Sequence, residues 1–345
     1  MEELRARLYD GMAATGITGA VADEIFDKMA SFANYGFPES HSVSFASLVY
    51  ASAWIKLHEP AAFCAALLNA QPMGFYSPHS LVQDARRHGV VVRTPDLNES
   101  DAASTLEPCP ESTGGMAVRL GIDYVRSIGD DLAAEIAAGR PYTELEDLVR
   151  RVPALTLRHL EAMATAGVFG CFGLARREAL WAVGSVAQSR PGRLAGMVTG
   201  ADAPTLPGMD ERELAVADLW ATGVSPDGHP TKFVRPQLDA MGAVPADRLL
   251  SCENGSRVIV GGVVTHRQRP ATAQGTTFIN LEDETGLINI VCSKGCWARY
   301  RRVARGAAAL LVRGRSEKAE GVVNGGAERL DHLPTAGSLR SRDFR

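Results

Sequence analysis

Arg267, Arg269, Lys294, Arg299, Arg301, Arg302 and Arg305 crowd one stretch of a 345-residue chain, with Phe278 among them and Arg313, Arg315 and Lys318 just beyond. Cations neutralise phosphates and an aromatic face stacks on a base, so this mixture is what a single-stranded nucleic acid groove requires. The same arginines would also suit the solvated wall of a protein-contact surface, and that reading stays open beside the first. Arg267, Arg269, Phe278, Lys294, Arg299, Arg302 and Arg305 are the candidate contacts.

A second constellation spans residues 125–136, Val-Arg-Ser-Ile-Gly-Asp-Asp-Leu-Ala-Ala-Glu-Ile. It resembles a helix-hairpin-helix, in which hairpin backbone N–H groups meet a phosphate as helix N-termini do. Arg126, Ile128 and Gly129 would form its tip. Ser127 stands where a glycine is usual, and Asp130 and Asp131 would repel phosphate, so a purely structural helical pair stays open as well. Residues 155–167 read as the packing half of the motif. Other chemistry is sparse. Cys292 and Cys296 lack a second Cys/His pair to complete a zinc site and read as buried thiols. Glu282, Asp283 and Glu284 have the donors for a divalent cation, but a turn at a barrel rim explains them more simply. No phosphate-binding P-loop and no Gly-x-Ser-x-Gly nucleophile elbow is present. Tyr35, Ser40 and His41 form a small polar group near a turn.

The whole chain has a formal charge of −4, which hides a division. Residues 255–345 hold 15 basic against 8 acidic residues, a net +7, and the first 254 residues are correspondingly acidic. Such asymmetry points to a polyanionic partner for the C-terminal part, with compositional drift as the plainer alternative. With 46% hydrophobic and 22% charged residues the composition is that of a globular protein with real cores. No apolar run is long enough for a membrane span. The six cysteines are scattered, and the acidic N-terminus is unlike a signal peptide. A cytoplasmic location without a membrane partner is the expectation.

These residues need elements to carry them. The pattern predicts a helix after Thr18, a buried helix over 42–58, a helix opened by Pro60, and another running from Ser77-Pro78 to Gly89. Short helices follow to about 188, with a capping box at 143–146 and a cap at Thr156. A Pro/Gly-rich connector over 189–254 carries helices near 210–220 and 235–241. From residue 257 the period changes to two. Strands over 257–266, 276–281, 287–292 and 308–315, a helix over 293–305 and a last weaker strand near 321–330 give the order of an OB barrel. Asn324-Gly325-Gly326 weakens that last strand, because glycine disfavours strand interiors.

The ordered series resembles the C-terminal part of the bacterial C-family DNA polymerases, the polymerase III alpha subunits, and most closely their error-prone paralogue. Residues 32–41 (Phe-Ala-Asn-Tyr-Gly-Phe-Pro-Glu-Ser-His), 53–61, 66–76 and the Pro-Asp-Leu-Asn at 95–98 carry it, followed by the hairpin region and residues 281–286. Pro38-Glu39 is typical of the error-prone group, whereas replicative relatives usually have Asn-Lys there. The resemblance implies a multidomain α+β chain. Residues 1–100 would end a fingers domain, 101–188 form the helix-hairpin-helix region, 189–254 connect, 255–333 form the OB domain, and 334–345 a tail. It implies that Tyr35, Ser40 and His41 face nucleotide or template. It also implies that the catalytic palm aspartates lie upstream of the matched region. The chain is therefore expected to guide DNA (template, primer and single strand) without transferring phosphoryl groups, and to bind no cofactor itself. Mg²⁺, translesion synthesis in DNA repair and lesion-bypass partners belong to the full-length enzyme.

Overall fold

The computed structural model describes residues 2–35, 39–74, 76–187, 204–319, 321–335 and 342–344, with backbone alone for 2–4, 31–35, 39–40 and 342–344. Two compact units divide after Leu57. The first holds α1 (Glu2–Ala14), α2 (Ala20–Tyr35) and nearly all of α3 (Glu39–His58). Tyr9 donates to Asp23 at 2.7 Å and packs on Phe26, with Arg5 over the Phe26 ring. The expectation of a buried α3 is corrected. Leu48, Tyr50 and Leu57 are 63%, 74% and 75% exposed. A helix that is apolar all round needs neighbours all round, and within its own unit α1 and α2 cannot surround it.

The second unit begins with α4 (Pro60–Asn69) and α5 (Pro78–Arg87). Pro60 sits in the first turn of α4, and Ser77 caps α5 by accepting from the Ser80 N–H. They pack on a small sheet of β1 (Val92–Arg93), β2 (Thr105–Pro108) and β3 (Met116–Arg119) in the order β1-β3-β2. Five helices follow: α6 (Asp130–Ala138), α7 (Leu145–Arg151), α8 (Leu157–Ala166), α9 (Arg176–Val186) and α10 (Glu211–Ala221). They enclose a core of Ile136, Leu148, Leu160, Met163, Phe169 and Val183. Thr156 caps α8 in a reciprocal box with His159. The capping box expected at Thr143 is not made; instead the Asp147 carboxylate accepts from the Thr143 N–H at 3.2 Å. Helix α11 (Arg235–Ala240) lies where the sequence places it. Much of its approach is buried, from Val224 to Thr231 with only Asp227 exposed. Among the described residues no helix is long and apolar enough to cross a membrane.

The last part is a closed five-stranded barrel with the OB order. It comprises β4 (Arg257–Gln268), β5 (Thr277–Glu282), β6 (Leu287–Cys292), β7 (Ala309–Ala319) and β8 (Val322–His332), with α12 (Lys294–Arg299) and α13 (Arg301–Gly306) between its third and fourth strands. Neighbours run β5-β6-β8-β7-β4, and β4 pairs again with β5 to close the ring. A short β9 (Arg342–Phe344) adds in parallel to β4 at His266–Gln268, past the stretch that β7 covers. The glycines expected to weaken the last strand do not prevent its closure. Residues 324–326 form the parallel seam with β6, and register steps at Arg313/Gly314 so that Glu328 bulges out. A Cβ on Gly314 would stand 2.1 Å from the Gly326 carbonyl oxygen.

An ionic junction ties the barrel to the helical body. Glu282, fully buried, accepts from Ser80 Oγ at 2.7 Å and from Arg87 Nη2 at 3.0 Å. Asp283 accepts from Arg235 Nη2 at 3.1 Å and the Ala246 N–H at 2.9 Å, while its other oxygen organises the turn through Thr285 and Gly286. Glu284 takes Arg235 Nε and the Thr231 hydroxyl. The acidic turn is therefore engaged by arginines. His79 and His229 stack beside it with ring centroids 5.5 Å apart. Burial, reinforced by Arg87, drives His79 down to about 3, and burial with His79 beside it drives His229 well below the usual imidazole range.

Two expectations follow from this packing. Gly314→Ala should cost at least about 2 kcal/mol in urea unfolding, because backbone must move. Gly295→Ala, with open space around it in α12, should change stability by no more than about 1 kcal/mol. Separately, a histidine with a depressed folded pKa loses stability as pH falls below about 6.5, where the unfolded chain protonates first. His79→Asn keeps an acceptor for the Ser225 N–H, which His79 Nδ1 meets at 3.3 Å. The stability gap between wild type and this variant should narrow from pH 7 to pH 5; a constant gap would show that the imidazole does not charge on unfolding.

Candidate nucleic-acid interface

The hairpin at Arg126–Gly129 is a turn between a short 3-10 segment (Ile122–Tyr124) and α6. Ile128 is buried in the helical core, and its N–H donates to the Val125 carbonyl at 3.0 Å. Gly129 is the N-cap of α6, with Asp130 and Asp131 exposed in the first turn. Arg126 is exposed, and its backbone N–H donates to the Ala221 carbonyl at 2.7 Å. Ser127, the residue that departs from the usual glycine, has φ +70°. That is the left-handed region glycine occupies freely and other residues enter only at a cost. The backbone thus keeps the hairpin shape despite the substitution.

On the barrel, β5 and β6 alternate between core and surface. Ile279, Leu281, Ile288 and Ile290 point inward, whereas Phe278, Asn280, Asn289 and Val291 share the outer face. Phe278 is opposite Val291, and Asn280 opposite Asn289. The paired asparagines offer donors and acceptors beside the exposed ring, and the sequence reading missed them; their period-two alternation with buried residues was the available signal. The loop after β4 brings cations to this rim. A Cβ on Gly275 would lie 3.3 Å from Lys294 Cδ and 3.5 Å from Arg269 Nη2, so those two side chains converge over the glycine. Arg299, Arg302 and Arg305 are exposed on α12 and α13, and none of these five cations is ion-paired among the described residues.

Arg267 requires a correction. It is 5% exposed, and it donates through Nε to the Ala304 carbonyl at 2.6 Å and through Nη2 to that of Ala307. It satisfies the last carbonyls around α13 and is not presented to solvent. Cys292 is buried, its thiol pushed up to about 12 by burial first and by Cys296 next. Among the described residues no three His, Cys, Asp or Glu side chains gather as a metal-holding group. His41 is exposed on α3, its ring edge-on to Phe45 at 4.5 Å. The side chains of Tyr35 and Ser40, and residues 36–38 between them, lie outside the described residues.

The left-handed Ser127 yields a direct expectation. Ser127→Gly should stabilise the chain by about 0.5–1 kcal/mol, read as a rise in Tm, because it relieves the positive-φ strain. An unchanged or lower Tm would mean that the serine is held there without strain.

The profile of the helix-hairpin-helix motif matches residues 89–179. Along its whole length the chain is 57% identical to the error-prone DNA polymerases of Mycolicibacterium paratuberculosis and Mycobacterium tuberculosis H37Rv, and 58% identical to that of Nocardia farcinica. It spans 32%, 31% and 31% of those proteins. Among solved structures, asparaginyl-tRNA synthetase from Pyrococcus horikoshii aligns over 28% of this chain and 24% of its own with 18% identity and a TM-score of 0.24, a likeness too slight to carry weight. Hairpin, barrel order and sequence identity along the whole chain agree: over the third of their length that it spans, the chain is a homologue of the error-prone DNA polymerases.

Proposed function

We propose that this chain is the DNA-guiding portion of an error-prone DNA polymerase, a cytoplasmic enzyme that copies damaged templates. The 57% identity along the whole length of the chain carries the reading. In it, residues 1–100 complete the fingers, 101–188 hold the duplex, and 255–333 hold the single-stranded template. The five unpaired cations and Phe278 support that last assignment. Phosphoryl transfer with Mg²⁺ and contacts to lesion-bypass partners fall to the whole enzyme. The residues here do not suit a catalytic metal pair, since the three consecutive carboxylates Glu282 to Glu284 are engaged by Arg87 and Arg235 and no other metal-holding group gathers among the described residues. No step is therefore assigned to this chain's carboxylates, and alone it is inactive in primer extension. Tyr35, Ser40 and His41 serve the nucleotide in the assembled enzyme.

The purified chain should bind single-stranded DNA weakly and with strong salt dependence. About four neutralised phosphates give a slope of log K against log salt near −3, at roughly 0.7 counterion each. Replacing Arg299, Arg302 and Arg305 with Ala should remove about two units of that slope. Phe278→Ala should weaken binding by roughly 1–3 kcal/mol at every salt concentration, as loss of a stacked base does. Binding that ignores salt in a folded chain would leave the protein-scaffold reading in place.

A further inference from the structure

Every described arginine between residues 60 and 187 is ion-paired except Arg126 and Arg158, an exposed residue of α8. Arg126 has three aspartates within five residues, Asp123, Asp130 and Asp131, yet its guanidinium lies over the Trp220 indole, 4.8 Å from the ring centroid. Trp220 comes from the last turn of α10, far away in sequence, and is 49% exposed. The platform beneath is rigid. Val125 and Ala221 are buried in one core, and the Arg126 N–H is bonded to the Ala221 carbonyl.

A guanidinium stacked on a ring spends one face on the contact and keeps its N–H edge free, the edge that binds phosphate oxygens in a fork. The indole also restricts the arginine's rotamers, which lowers the ordering cost of that contact. Its remaining exposed face is a flat apolar surface of the kind a deoxyribose or an unstacked base covers. Asp130 and Asp131 make the α6 side of the hairpin repulsive to phosphate, which leaves the Arg126 side as the approach.

We propose that Arg126 and Trp220 form a single clamp on the DNA sugar–phosphate backbone. Arg126 binds a phosphate; Trp220, supplied by the connector helix, is the positioning residue that holds the arginine and covers the adjoining sugar. The clamp rests on the DNA-binding reading above and assigns it a residue from outside the hairpin.

The test uses the full chain and a fluorescein-labelled primer–template duplex, titrated across salt. Arg126→Ala should lower the slope by about one, the contribution of one duplex phosphate. Trp220→Ala should weaken binding about three- to ten-fold and lower the slope nearly as much, whereas Trp220→Phe should retain most of both. The double variant should bind no more than about three-fold weaker than Arg126→Ala, because the two residues act through one contact. DNA should quench the intrinsic tryptophan fluorescence of wild type, and less so that of Trp220→Phe. If Trp220→Ala melts with wild type and keeps its affinity and slope, the clamp is wrong while wild-type binding leaves DNA guidance standing. If Trp220→Ala loses thermal stability but its folded fraction keeps the wild-type slope, the indole is only structural and the clamp is again wrong. Wild type without salt-dependent binding to this duplex or to single strands would overturn the DNA reading itself.

Discussion

Three consecutive carboxylates at the rim of the barrel are held in the protein interior by two arginines, and the geometry of the second unit depends on that arrangement. Buried charges are tolerated only when paired and hydrogen-bonded, and removing one member of such a pair typically costs about 3–5 kcal/mol. Glu282 reaches α5, while Asp283 and Glu284 reach Arg235 and Thr231. A greasy contact between the same elements could slide. Bidentate and multiply bonded ion pairs cannot, because a small displacement breaks several directional bonds together. The barrel is thereby set at one attitude to the helices that carry the hairpin.

That attitude gives meaning to the separation of charges on the barrel. Arginine here has two uses that composition cannot distinguish. Arg267, buried on β4, completes the end of α13; Arg269, two residues further along, emerges beside Lys294 over a glycine. Exposure, rather than residue type, sorts the C-terminal basic excess into scaffold and surface. The hairpin shows the same division, with Ile128 in the core and Arg126 outside.

The period-two alternation from residue 257 made the barrel legible to within a few residues at each strand, and Thr156 announced α8 through its side chain. Long-range pairing was not legible. Nothing local in residues 282–284 marks their partners as Arg87 and Arg235, 195 and 48–49 positions away, so the acids read only as a turn at a barrel rim. Proline and glycine between 224 and 231 suggested a loose connector, yet His229 and Thr231 are buried because they meet the same cluster. Gly325 and Gly326 read as weak strand, since the seam that incorporates them exists only after β6 and β8 meet. Local apolarity misled for α3, where the sequence shows what could be covered but not whether a neighbour is there.

Strand β9 has a consequence for solubility. Past Val263, one side of β4 is no longer covered by β7, and a row of backbone donors and acceptors left there would invite another molecule to add a strand. Residues 342–344 fill the row with this chain's own backbone, from His266 to Gln268. The final residues thus act as a stopper against edge-to-edge association, in a barrel whose other strands have already consumed their edges by closing on one another.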